Sequence, residues 1–108
     1  MIQFWDDLKE GDKIYYLILD GENLRELFEN RLKVQDTIIE DIINTGSYMS
    51  IHTDFFGELI LDYKDFFVEG HSQTEYDDNI LLLAVNYEGI KEELKFFINR
   101  LNNDIDLY

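Results

Sequence analysis

With 108 residues, a formal net charge of −15 and no cysteine, the chain has the size of one domain with a single core, and disulfides, thiolate metal sites and thiol catalysis are excluded. Apolar residues at 45% and aromatics at 15% argue for a packed globule despite the charge. Such a surface repels free nucleic acid and anionic membranes, so direct binding to either is not expected.

The first residues, Met1-Ile2-Gln3-Phe4-Trp5-Asp6-Asp7, have neither a basic start nor an apolar signal core, and no apolar run approaches membrane-spanning length. A cytoplasmic location is therefore expected. Phe4, Trp5 and Leu8 form a short lead-in to a turn at Lys9-Glu10-Gly11-Asp12. Ile14 to Leu19 reads as a strand with Tyr15, Leu17 and Leu19 on one face and Ile14, Tyr16 and Ile18 on the other. Asp20-Gly21 closes it.

From Glu22 to Lys33 the spacing of Leu24, Leu27, Phe28 and Leu32 predicts a short helix, with an irregular long hairpin as the competitor. Between Val34 and Asn44, the β-branched Thr37, Ile38, Ile39, Ile42 and Ile43 favour a strand, although the isoleucines would also form a helical stripe. The turn signal Asn44-Thr45-Gly46-Ser47 decides for a strand, with Tyr48 to Thr53 pairing back as a hairpin. Asp54-Phe55-Phe56-Gly57 is a reversal, Glu58 to Tyr63 a further strand, and Lys64 to Phe67 a short helical turn. The polar stretch from Glu69 to Asn79 is expected to be the longest exposed loop.

The stretch from Asn79 to Leu101 organises the rest. Ile80 to Val85 is an unbroken apolar run, the pattern of a strand covered on both faces. Ile90, Leu94, Phe97, Ile98 and Leu101 then recur at the spacing of one helical face, so this helix supplies one cover. Asn102-Asn103-Asp104 is expected to end it, leaving Ile105, Leu107 and Tyr108 as a tail. The expected class is α+β: a small antiparallel barrel or curled sheet of about five strands, with a C-terminal amphipathic helix packed on it and a short helix at 22–33.

The run Leu8-Lys9-Glu10-Gly11-Asp12-Lys13-Ile14-Tyr15-Tyr16 resembles the opening of SH3-like small barrels, in which a Gly-Asp turn precedes an aromatic-rich first strand. Asp62-Tyr63-Lys64-Asp65-Phe66-Phe67 falls at the place of their short helical turn. The likeness covers roughly Leu8 to Val85 and implies a fold, with no activity attached.

No nucleophile elbow, phosphate loop or dinucleotide fingerprint is present. His52, in a strand, and His71, in the polar loop, read as surface or partly packed residues. The acid pairs Asp6-Asp7, Glu40-Asp41, Asp77-Asp78 and Asp104 with Asp106 lack the calcium-loop pattern with its central glycine. No catalytic residue, metal or cofactor is expected, and an enzyme is not the favoured reading.

The distribution of charge is the sharper signal. Between Val34 and Ile90 the only lysine or arginine is Lys64, among twelve acids. Carboxylates on a stiff sheet can stand where phosphates would, so the expected partner is a protein with a basic, nucleic-acid-binding groove. In composition and size the chain is similar to small acidic inhibitors from phages and mobile elements. The residues expected to meet the partner are Glu40, Asp41, Glu58, Asp62, Glu75, Asp77 and Asp78. A structural or assembly subunit joined through exposed members of Phe55, Phe56, Phe66, Phe67 and Phe96 is the alternative.

Overall fold

The computed structural model describes residues 2–20, 33–62 and 70–106, with side chains described as far as Leu101. Residues 22–32 of the helix expected at 22–33, the helical turn at 64–67 with Phe66 and Phe67, and Leu107 and Tyr108 of the tail lie outside the described residues. Six antiparallel strands follow one another as β1 (Lys13–Leu19), β2 (Gln35–Asn44), β3 (Tyr48–Thr53), β4 (Gly57–Asp62), β5 (His71–Tyr76) and β6 (Asn79–Ala84). They are ordered β4-β3-β2-β1-β6-β5. A C-terminal helix, α1 (Tyr87–Asp106), packs on β6, β5 and β1. The expected α+β class, a curled antiparallel sheet carrying a helix, is thus the observed one. It is a nearly closed barrel compatible with an SH3-like fold.

The sixth strand corrects the reading of 69–79 as a loop. His71 to Tyr76 pairs along the whole of β6, from His71 opposite Ala84 to Tyr76 opposite Asn79. Polar composition marks an edge strand here: β5 has a neighbour on one side only, so Gln73, Thr74 and Glu75 keep access to water. The strand expected from Glu58 starts instead at Gly57 and is described to Asp62. The helix continues to Asp106, past Asn102-Asn103-Asp104. Asn and Asp cost a helix interior only about 0.5 kcal/mol each relative to good formers, too little to stop a helix already docked.

Strand β6 lies in the middle of the packing, as its continuous apolar run requires. Leu81, Leu83 and Val85 face the barrel interior with Ile14, Tyr16, Ile39, Met49, Ile51, Leu59 and Leu61. Leu82 and Ala84 face the other way, with Leu17, Leu19, Ile90 and Phe97, under α1. The alternation expected for Ile14 to Leu19 holds on both faces. Trp5 and Leu8 join the interior cluster from the N-terminal side, where a single 3-10 turn, Trp5–Asp7, is tied to the end of β2 by Asn44 Nδ2 donating to Asp6 Oδ1 at 2.9 Å. Phe4 stays more than half exposed.

Two local irregularities determine which side chains reach water. Strand β2 contains a bulge: Ile39 opposes Thr53, but Asp41, not Glu40, opposes His52. The extra residue inverts the in-out alternation beyond it, since side chains along a strand repeat every two residues. Thr37 and Ile39 therefore point inward before the bulge, Ile42 after it, and Asp41 and Ile43 outward. The second is the three-residue loop between β3 and β4. There Phe56 N–H donates to Thr53 Oγ1 at 3.0 Å, and Gly57, at φ +68°, supplies the left-handed residue this hairpin needs.

Candidate protein-binding surface

Among the described residues, the barrel wall is covered on one half only. Helix α1 lies over β1, β6 and β5. The outer face of β2, β3 and β4 carries three of the exposed large apolar side chains: Ile43 at 53%, Tyr48 at 41% and Ile60 at 54%. Strand register arranges this face in rows. Asp41, His52 and Glu58 sit opposite one another across the three strands; Ile43, Ser50 and Ile60 form the next row; Tyr48 then faces Asp62. The result is a shallow depression of about 250 Å³ lined by Ile43, Tyr48, Ser50, Glu58, Ile60 and Asp62. An apolar strip runs through its middle, with carboxylates at both ends.

No lysine or arginine occurs from Val34 to Asp62, so these carboxylates have no cation within their own three strands. Just past the Asp41 row, Glu40 sits at the bulge beside Asp54 of the β3–β4 loop. A side-chain hydrogen bond with Asp54, and then repulsion from the Asp54 charge, hold the Glu40 carboxyl above the usual range; His52 pulls it the other way.

The seven acids expected at an interface fall into two groups. Asp41, Glu58 and Asp62 lie on the β2–β4 face, with Glu40 at its edge. Glu75, Asp77 and Asp78 belong to the β5–β6 hairpin. That hairpin touches the β3–β4 loop through aromatic rings: Tyr76 packs on Phe56 with centroids 5.1 Å apart and on Phe55 at 6.5 Å, while Tyr16 stacks on Phe55 at 5.1 Å. Burial, then Asp36 and Tyr76, push the Tyr16 phenol up. Phe56 is consequently core, and of the phenylalanines considered for an apolar contact only Phe55 and Phe96 are exposed among the described residues.

Sequence reasoning did not single out Ile43, Tyr48 and Ile60. Alternation alone would have exposed Ile60, between the inward Leu59 and Leu61. Ile43 was hidden because nothing in the residues announces the bulge that turns it outward.

A second polar cluster joins α1 to β5. His71, expected in a loop, is a buried strand residue whose Nδ1 lies 2.7 Å from Glu93 Oε2, both side chains 9% exposed. Its ring stacks on Phe96 with centroids 5.8 Å apart. Arg100 lies 4.0 Å from the other Glu93 oxygen and hydrogen-bonds Gln73. Beside the cluster is a cleft of about 370 Å³ lined by Gln3, Phe4, His71, Asn86, Glu88, Gly89 and Glu92. The His71–Glu93 contact ties the helix to the edge strand.

Among the described residues no group of histidine and acidic side chains is arranged to hold a metal ion, and no helix is long and apolar enough to cross a membrane. Compared with known proteins, the chain matches no family, no curated protein and no solved structure.

Proposed function

We propose that this protein binds and blocks a basic, nucleic-acid-binding protein, such as a nuclease or a defence-system component, by presenting carboxylates from a rigid sheet. The observation that carries the reading is the β2–β4 face. Asp41 on β2 and Glu58 and Asp62 on β4 are held in place by their common neighbour β3, and the three strands contain no lysine or arginine. Self-repulsion on such a face costs stability, and salt screens it only beyond about 8 Å. A partner lined with lysine and arginine relieves that repulsion and is drawn in by the long-range field. The rigid backbone adds register, because adjacent strands fix the spacing of the acids before contact.

Titration calorimetry against a candidate nuclease, at about 50 mM and about 200 mM salt, tests the reading. The expected result is binding that weakens by at least about tenfold over that range and is competed away by the nuclease's own nucleic acid. Salt-insensitive binding, or a ternary complex with nucleic acid still bound, would contradict it.

A further inference from the structure

The β2–β4 face is not uniformly acidic, and its apolar centre says something about the partner. Ile43, Tyr48 and Ile60 occupy the middle of the face and remain 41–54% exposed, whereas the equivalent wall on the other half of the barrel is covered by α1. Three neighbouring apolar side chains inside a carboxylate rim suit a partner that offers both apolar surface and positive charge. A cleft that holds duplex nucleic acid meets mainly phosphate and sugar and is polar throughout. A groove that holds a single strand is different: basic walls track the backbone, and an apolar or aromatic platform between them takes the bases.

Resting on the reading proposed above, we infer that the partner surface is of this second kind, an apolar platform flanked by lysine or arginine. Ile43, Tyr48 and Ile60 lie against the platform, and Asp41 with Glu58 at one end and Asp62 at the other meet the flanking cations. Charge disfavours a second copy of this chain as the occupant. Two such faces brought together would set carboxylates against carboxylates on a protein of net charge −15.

The test is amide chemical-shift titration at low salt with two synthetic probes, octalysine and an octapeptide alternating lysine with tryptophan. The alternating peptide should bind at least about tenfold more tightly and shift the amides of Asp41, Ile43, Tyr48, Ser50, Ile60 and Asp62. Ile43→Ser with Ile60→Ser, checked by circular dichroism for an intact fold, should remove that advantage and leave octalysine binding unchanged. Because both side chains are already half exposed, this variant is expected to fold. Equal affinity for the two peptides would overturn the apolar platform while leaving the electrostatic reading standing. Binding of neither would overturn both. A dimer seen by light scattering and lost in the Ser variant would overturn the platform by assigning the strip to self-association.

Discussion

Asp77 and Asp78 both adopt the left-handed backbone conformation, at φ 49° and 65°, and connect β5 to β6 as a two-residue hairpin turn. Two positive φ angles are what this turn type requires, and glycine or asparagine meets them with less strain than aspartate. Asp78→Gly should therefore raise stability by about 1 kcal/mol, seen as an increase in Tm of about 5 °C. A fall in Tm would show that the aspartate side chain supports the turn. Gly70 is the opposite case. At φ +67° it packs so closely that a Cβ would collide with the Gln3 carbonyl and reach within 2.7 Å of Val85 Cγ2. Gly70→Ala should cost about 2 kcal/mol or more by denaturant melting, and a neutral result would mean that the N-terminal segment gives way freely. Glu40 offers a pH test. Its carboxyl is raised in the folded state by the hydrogen bond with Asp54 and by the Asp54 charge, so the folded protein holds that proton more tightly than the unfolded chain. This contribution is present below the unfolded carboxylate range and is lost as pH rises through the raised folded value. Glu40→Gln should consequently be the more stable protein at neutral pH, with the difference shrinking on acidification. Urea melts across the carboxylate range check it; a variant less stable than the parent at neutral pH would contradict the assignment.

At the level of elements, α1 is attached by two different means. Ile90 and Phe97, with Leu94, Ile98 and Leu101 at their margins, pack on Leu17, Leu19, Leu82 and Ala84. Glu93 reaches past them to His71 and Arg100. Removing one partner of a buried pair leaves the other unsatisfied, so Glu93→Ala should cost about 2–4 kcal/mol, and Glu93→Gln, which can still hydrogen-bond, less. Hydrogen exchange should show the loss concentrated in β5, the edge strand held by that contact; protection unchanged in β5 would mean that the hairpin with β6 alone secures it. The helix and the strand before it were legible in the sequence because Ile80 to Val85 and the Ile90, Leu94, Phe97, Ile98, Leu101 series carry their periods openly. Strand β5 was not, because His71 to Glu75 are polar residues whose pairing is imposed by β6 and by the Asp77-Asp78 turn. The β2 bulge was equally hidden: Gly11 N–H donates to the Ile39 carbonyl and Ile39 N–H to the Asp12 carbonyl, both at 2.9 Å, contacts made across the fold.

Over the whole molecule, acids lie on the three-stranded β2–β4 face and on the β5–β6 hairpin, and the two are not equivalent. Sequence alone grouped Glu75, Asp77 and Asp78 with Glu40, Asp41, Glu58 and Asp62, because charge was countable and its placement was not. In three dimensions Asp41, Glu58 and Asp62 share a face with an exposed apolar strip, whereas Asp77 and Asp78 form the tip of a strained turn. Affinity for a cationic ligand should follow that division. The most direct measurement is calorimetry of octalysine binding at low salt to the parent protein and to two charge-reversed variants. One is Asp41→Lys with Asp62→Lys on the face, and the other is Asp77→Lys with Asp78→Lys on the hairpin. Each variant changes the net charge by the same amount, so any difference between them reports position. The face variant should lose at least about tenfold in affinity and the hairpin variant much less. Equal losses, or a larger loss in the hairpin variant, would contradict this.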